Sequence, residues 1–248
     1  MVFKWNWNMS TAQGGPNIVT DGLVFYIDAF NRKSFISGNT TVNNLTSNQI
    51  NGTLINGVGF DGKSWTFDGI DDTIDCDSLI PLIENDTQGT IEVWCKVNDS
   101  TPLVNNFTFA IGHSTSDTHI SLFCTTTGVL RAVGRNNGTG LYNISSDNKV
   151  FQDNTYCSVA VVQDGILPKI YFNGELISQS TLNNNNTTIW VNDLTNKDTT
   201  RIGSRKSSNQ EILDPIEGNI SNVKYYNRPL TQTEIQQNFN ALKSRFRY

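Results

Sequence analysis

Apolar residues in this chain come in short runs divided by turn-forming residues. Only one stretch, at the C-terminal end, has helical spacing. Asp21 to Ala29, Gly89 to Val97, Phe107 to Gly112, Ile120 to Cys124, Val129 to Val133, Cys157 to Val162 and Lys169 to Ile177 are strand-length, rich in β-branched and aromatic residues, and bounded by Gly, Asn, Asp or Ser. The runs around 107–133 predict a meander. Asn173-Gly174 and Asp68-Gly69 carry the residues that two-residue hairpin turns demand. In the last segment Ile220, Val223 and Tyr225 predict a strand that Asn227, Arg228 and Pro229 end. Thr231 then stands as an N-cap with Glu234 three residues on, while Leu230 and Ile235 are placed for a hydrophobic staple. Ile235, Phe239, Leu242 and Phe246 share one face, so a helix over 231–246 is expected to lie on the β body. The pattern predicts an all-β protein with one short terminal helix.

Residues 1–20 differ from the rest. Phe3, Trp5 and Trp7 alternate with Lys4, Asn6 and Asn8, and Gly14-Gly15-Pro16 follows as a breaker. Two readings stand: an extra edge strand of the domain's own sheet, or an arm through which the chain joins itself or another protein by strand addition or tryptophan burial. The domain proper is expected to span 21–248.

The chain has 248 residues, of which 17% are charged and 37% hydrophobic, a length and composition suited to one large sandwich. Its net charge of −5 and scattered basic residues exclude the cationic stripe that nucleic acid requires. No apolar stretch approaches the roughly 18 residues that span a bilayer, and the polar-interrupted N-terminus lacks a signal peptide's apolar core, so synthesis in a cytosol is expected. Cys76, Cys95, Cys124 and Cys157 are widely spaced, without a Cys-x-x-Cys pair, and read as buried free thiols.

Several motifs carry a resemblance. Trp65-Thr66-Phe67-Asp68-Gly69-Ile70-Asp71-Asp72 is a strand ending in Phe-Asp-Gly before two acidic residues, Gly89 to Val97 is an apolar strand with a tryptophan, and Tyr171-Phe172-Asn173-Gly174 matches Tyr-x-Asn-Gly. Tyr226-Asn227-Arg228 leads through Leu230-Thr231 into the closing helix. Together, over about 21–246, these resemble laminin G-like, concanavalin A-like domains. The resemblance implies a two-sheet antiparallel jelly-roll sandwich whose first and last strands are neighbours. It also implies calcium as a structural ion, for which Asp28 and the Asn44–Asn48 loop are candidates, although Asn44 stands where an aspartate is usual. The opening Gly14 to Val24 and the ending Asn238 to Phe246 resemble laminin G-like structural proteins of tailed bacteriophages. That implies a virion surface component, made in the host cytoplasm, as decoration, tail or fibre protein.

Glycoside hydrolysis needs two carboxylates across a groove; Glu92 stands alone on its strand, and Asp75 and Asp77 alternate on one face with no aromatic platform beside them. His113, Asp117 and His119 form neither a triad nor a zinc set and read as exposed polar residues. Sugar binding wants an exposed aromatic with amides around it, which Trp190 with Asn185, Asn186 and Asn192, or Tyr142 with Asn136 and Asn137, could supply. The expectation is a non-enzymatic virion surface protein with no catalytic residues, assembling through Phe3, Trp5 and Trp7 and binding glycans at Trp190, Asn185, Asn186 and Tyr142. A stand-alone carbohydrate-binding module is the alternative, and a glycoside hydrolase the remoter one.

Overall fold

The computed structural model describes residues 16–48, 50–207 and 211–246. Phe3, Trp5 and Trp7 lie outside the described residues. Along the chain run β1 (Leu23–Asp28), β2 (Thr41–Asn43), β3 (Asn51–Ile55), β4 (Gly59–Phe60), β5 (Trp65–Asp68) and β6 (Thr73–Asp75), then the short α1 (Ile80–Ile83). There follow β7 (Gly89–Val97), β8 (Asn106–Gly112), β9 (His119–Cys124), β10 (Leu130–Asn136), β11 (Thr139–Ser146), β12 (Tyr156–Gln163), β13 (Lys169–Phe172), β14 (Glu175–Leu176) and β15 (Gln179–Asn183). The chain closes with β16 (Thr199–Ile202), β17 (Arg205–Ser207), β18 (Glu211–Leu213), β19 (Glu217–Tyr226) and α2 (Gln232–Leu242).

Two antiparallel sheets pack face to face. The first is ordered β14-β13-β12-β7-β19-β5-β4, with β1 also pairing β19; the second is β15-β11-β10-β9-β8-β16-β6-β3-β2. The first and last strands are neighbours, in register from Leu23 opposite Tyr226 to Asp28 opposite Asn222. Alternation decides which side chains meet between the sheets. Ile91, Val93, Cys95 and Val97 of β7 face Phe109, Ile111, Ile120, Leu122 and Ile144 of the other sheet. The predicted meander is present as β8-β9-β10 and continues into β11. Asn173 and Gly174 have φ of 52° and 85°, the left-handed pair that a two-residue turn between β13 and β14 needs.

Asp68-Gly69 is a correction. It is no hairpin, because β5 belongs to the first sheet and β6 to the second, so the chain crosses the sandwich there. Its Asp-Gly signal is local and does not encode which sheet the next strand joins. Thr73 faces Ser204 and Ile202 of β16's region instead of returning along β5.

The terminal helix forms where its cap chemistry places it. Thr231 Oγ1 accepts the Glu234 amide at 3.3 Å, and Glu234 returns the bond to the Thr231 amide at 2.9 Å. Arg228 pairs with Glu234 at 2.6 Å and, first among the causes, holds its carboxyl down to about 2. Beyond Leu242 the chain tightens into a 3₁₀ turn over Lys243–Phe246. The helix covers the outer face of the first sheet, where Trp94 stacks on Phe239 at 5.4 Å and on Phe246 at 4.4 Å. Replacing Thr231 with alanine removes the accepting hydroxyl and is expected to cost about 1 kcal/mol. Thermal melts should show this as a loss of roughly 2–4 °C.

Candidate functional site

Side chains that do not point into the core emerge on the outer face of the second sheet, and there four strands build a groove. Register sets its rows. Phe107, Phe123, Arg131 and Ser145 stand side by side on β8, β9, β10 and β11; Ser121, Val133 and Asn143 form the next row; His119 and Arg135 the third. The β17–β18 hairpin closes one flank with Arg205, and Asp214 follows it. The open groove has a volume of about 370 Å³ and is lined also by Asn105 and Asp117.

The floor is apolar. Phe107 and Phe123 stack at 4.3 Å with planes 3° apart, and with Ala110 and Val133 they form a small cluster separate from the main core. Guanidinium groups lie over this floor, with Arg205 5.4 Å above the Phe107 ring. Two of them are matched. Arg135 donates to Asp117 at 2.7 Å and to the Gly138 carbonyl at 2.7 Å, and Arg205 donates to Asp214 at 2.7 Å.

Arg131 is not matched. Its Nε is buried without a hydrogen-bond partner, and Asn143 Oδ1 in the same lining is likewise unpartnered. Burial pulls the Arg131 pKa below the usual arginine range, which still leaves it charged at neutral pH. The groove's three arginines and two aspartates leave one positive charge in excess, and it belongs to Arg131. A buried donor with no acceptor is costly unless something arrives to accept from it.

His119 is buried, not exposed as its sequence context implied: alternation on β9 sends it to the outer face, where the groove walls cover it. Its Nε2 lies 3.3 Å from Asp117 and its Nδ1 3.0 Å from Ser121 Oγ. A neutral ring with the proton on Nε2 satisfies both contacts by donating to Asp117 and accepting from Ser121. Burial lowers the His119 pKa, while the bond from His119, with the Arg135 charge, holds Asp117 down at about 2. Both shifts act in one direction. Below pH about 6.5 the unfolded histidine takes a proton that the folded one refuses, and from about pH 4 towards 2 the unfolded aspartate does the same. Stability is therefore expected to fall as pH drops through these windows. Urea melts should show a smaller loss between pH 4 and 3 for Asp117→Asn than for the parent, and an equal loss would exclude this linkage.

The residues singled out from sequence fall elsewhere. Trp190 and Tyr142 offer no face to a sugar, because each is completely buried. Trp190 sits between Ile189 and Val191, both buried, and its Nε1 donates to Tyr225 Oη at 3.0 Å. The Tyr142 ring packs where a Cβ on Gly134 would come within 2.5 Å of it. Tyr142 fills the core because alternation on β11 sends it inward, and Trp190 does so at the entry of the 3₁₀ turn Val191–Asp193, where its indole docks on Tyr225. Asn185 and Asn186 are exposed on the loop after β15, with Asn185 donating to the Gly140 carbonyl at 3.0 Å. An added Cβ on Gly140 would lie 2.8 Å from Asn183 Nδ2 and 3.8 Å from Arg135 Nη1, so this amide loop borders the groove. The outward alternation of arginines along β10, Arg131-Ala132-Val133-Gly134-Arg135, was the signal for the groove that the sequence did offer.

The carboxylates considered for hydrolysis are occupied. Asp75 and Asp77 grip the guanidinium of the buried Arg201. Glu92 lies under α2, where it pairs with Lys224 at 3.3 Å and accepts from Asn238 at 2.8 Å. The residues first considered for calcium are engaged within the protein. Asp28 Oδ1 accepts the Phe30 amide, its Oδ2 accepts from Tyr26 and Arg245, and Asn44 Oδ1 accepts two backbone amides. The four cysteines are buried and free.

Residues 67–236 match a laminin G-type family described as the concanavalin A-like lectin/glucanases superfamily, which is more than half of the chain. The chain belongs to this superfamily. A search of curated proteins finds no match. Among solved structures, the superfamily member is similar to the Ruminococcus gnavus IT-sialidase CBM40 bound to α2,3-sialyllactose, at 21% identity and a TM-score of 0.58, covering 70% of this chain and 96% of that one. It is similar to a leech intramolecular trans-sialidase at 18% identity and a TM-score of 0.62, covering 90% of this chain and 28% of that one. A Trypanosoma rangeli sialidase aligns at 13% identity and a TM-score of 0.67, covering 92% and 33%. The chain thus spans about a third of the two whole enzymes and nearly all of the CBM40. At these identities the likeness concerns the fold. No helix among the described residues is long and apolar enough to cross a membrane.

Proposed function

We propose that this domain binds glycans without modifying them, and that its ligand is an acidic sugar whose carboxylate sits on Arg131 in the groove over β8–β11. The observation that carries this reading is the unpaired, part-buried guanidinium over an apolar floor. A guanidinium presents a planar fork that matches a carboxylate with two parallel hydrogen bonds. Asn143 Oδ1 supplies an acceptor for a sugar hydroxyl or amide, and Phe107, Phe123 and Val133 supply an apolar floor. Asp117 and Asp214 are each held by an arginine, so the groove offers no free carboxylate pair for hydrolysis. A solved neighbour of the same fold is a CBM40 bound to a sialylated sugar, which supports the class of ligand.

The test is calorimetric titration of the full chain with 3′-sialyllactose, a uronate oligosaccharide and neutral lactose. Binding of an acidic sugar with a dissociation constant of about 1 mM or tighter, weakening with added salt, is expected. Equal binding of lactose, or no heat with any of the three, would sink the reading.

We also propose a virion surface role in which residues 1–15 mediate assembly. Asn17 accepts from Gln237 at 2.7 Å, and Val19 donates to Asn238 at 2.8 Å and accepts from Tyr226 at 3.0 Å. The entry to the domain is thereby fixed against α2, on the face of the sandwich opposite the groove. Assembly through residues 1–15 and sugar binding would not compete. Light scattering of the full chain and of a chain starting at Asn17 tests this: an oligomer that becomes a monomer on truncation supports it, and two monomers reject it.

A further inference from the structure

Two of the four free thiols face each other. Cys95 on β7 and Cys157 on β12 are directly opposite in the antiparallel register, so both side chains leave the sheet on one face, towards the core. Their sulfurs are 3.9 Å apart, in contact and unbonded. Opposed residues of an antiparallel pair have Cα atoms about 4.5–5.5 Å apart, inside the roughly 4.4–6.8 Å that a disulfide bridges. Closing the sulfurs to a bond of about 2 Å therefore asks for side-chain rotation and no shift of either strand. The other two cysteines are placed differently. Cys124 Sγ lies 3.9 Å from the Ser100 carbonyl and 3.5 Å from that of Thr125, and Cys76 Sγ lies where a Cβ on Gly52 would meet it at 3.0 Å.

An independent observation concerns access. Cys157 lines a cavity of about 150 Å³ together with Val150, Gln152, Thr155, Phe172 and Asn173. Gln152 and Thr155 are exposed, so the cavity reaches the surface. Hydrogen peroxide is little larger than water, which occupies roughly 30 Å³ in the liquid, so the cavity admits it. Cys95 stands behind Cys157 and is fully buried.

We propose that Cys95 and Cys157 form an oxidation site, which a hydroperoxide entering at Cys157 converts into a disulfide between β7 and β12. The Cys157 sulfur attacks one oxygen of hydrogen peroxide, the O–O bond breaks, and the departing hydroxide takes the thiol proton and leaves as water, giving a sulfenic acid. The Cys95 sulfur then attacks the Cys157 sulfur, the S–O bond breaks, and a second water leaves with the Cys95 proton. Two thiols lose two electrons, and one peroxide is reduced to two waters. The partners are 62 residues apart and enclose β8 to β11, so the bond closes into one covalent loop the four strands that build the groove. Its formation requires no ligand there. Burial, ahead of the contact with Cys95, pushes the Cys157 thiol well above the usual cysteine range, so the thiolate is scarce and the reaction slow at neutral pH.

The test treats the native, full-length chain with excess hydrogen peroxide at pH about 7, 8 and 9, then alkylates it in denaturant and maps its peptides by mass spectrometry. Two thiols are expected to escape alkylation, joined in a peptide pair that holds Cys95 and Cys157, while Cys76 and Cys124 are alkylated as before. The rate should rise about tenfold per pH unit, because the reacting thiol titrates above this range. The oxidised chain should melt roughly 4–16 °C higher than the reduced one, and a dithiol reductant should reverse the rise. Cys95→Ala should stop the reaction at a sulfenic acid on Cys157, which dimedone traps; mapping of the parent chain decides the pairing whether or not this variant folds. Four alkylated thiols after prolonged treatment at pH about 9, or a disulfide that includes Cys76 or Cys124, overturns the proposal.

Discussion

Arg131→Met is expected to abolish measurable binding of the acidic sugar while leaving the fold as stable as before, or slightly more so. The side chain it removes is the groove's uncompensated cation, with Nε buried and unpartnered. Hydrogen bonds to charged groups contribute about 1.5–3 kcal/mol, so affinity should fall roughly 10- to 150-fold. The unfolding free energy should stay within about 1 kcal/mol of the parent, because no bond or ion pair of Arg131 within the protein is lost and a desolvated charge is relieved. Arg131→Lys separates charge from shape. It keeps the positive charge but loses the planar fork, and should retain binding between that of the parent and of the methionine variant. Titration of all three with the same acidic sugar, beside urea melts, reads both quantities. If Arg131→Met binds within twofold of the parent, the groove is not where the carboxylate sits.

The largest effect on stability is expected on the opposite face. Glu92 and Lys224, adjacent on β7 and β19, are 1% and 0% exposed, and pair beneath α2. Lys224 also donates to Asn222 Oδ1 at 3.1 Å, and Asn238 bridges Glu92 to Tyr226. Glu92→Gln leaves the ammonium buried without its counter-charge, which for such pairs costs about 3–5 kcal/mol. For a domain of this size that is a fall of roughly 6–20 °C in melting temperature. The double variant Glu92→Gln, Lys224→Met removes both charges and should recover most of the loss, since well-packed neutral replacements of buried pairs are often neutral or better. A single variant that melts within about 2 °C of the parent would show that water reaches the pair and that α2 does not seal it. Sugar binding in the groove should not change in either variant.

Legibility in the sequence followed the range of the interaction. The cap at Thr231 and Glu234, the Asn173-Gly174 turn and the strand identities are local, set by neighbours within a few residues, and they appear in the structure as read. Asp68-Gly69 looked like an equal turn signal, yet it carries the chain between sheets, because its partner strands are chosen by distant residues such as Ile220 opposite Trp65. Trp190 read as an exposed aromatic from its polar loop, and the space beside Gly89 and Tyr225 took it inside. His119 read as a solvated polar side chain and is enclosed by Phe107 and Asp117.

By itself the residue pattern determined that this chain is all-β with one capped terminal helix, since period-two alternation and cap chemistry are properties of short segments, while the two-sheet sandwich was what the laminin G-like resemblance implied. It also placed Arg131 on a strand over Val129 to Val133, where alternation assigns it one side. Only the tertiary structure decided that this side meets Phe123 on one neighbour and Asn143 on another, and that Arg205 comes to the groove from a hairpin far along the chain. It alone left Arg131 without a carboxylate while giving one to Arg135 and to Arg205. The physical reason is that alternation fixes which face a side chain takes, whereas strand order and register, set by packing between distant segments, fix what stands beside it.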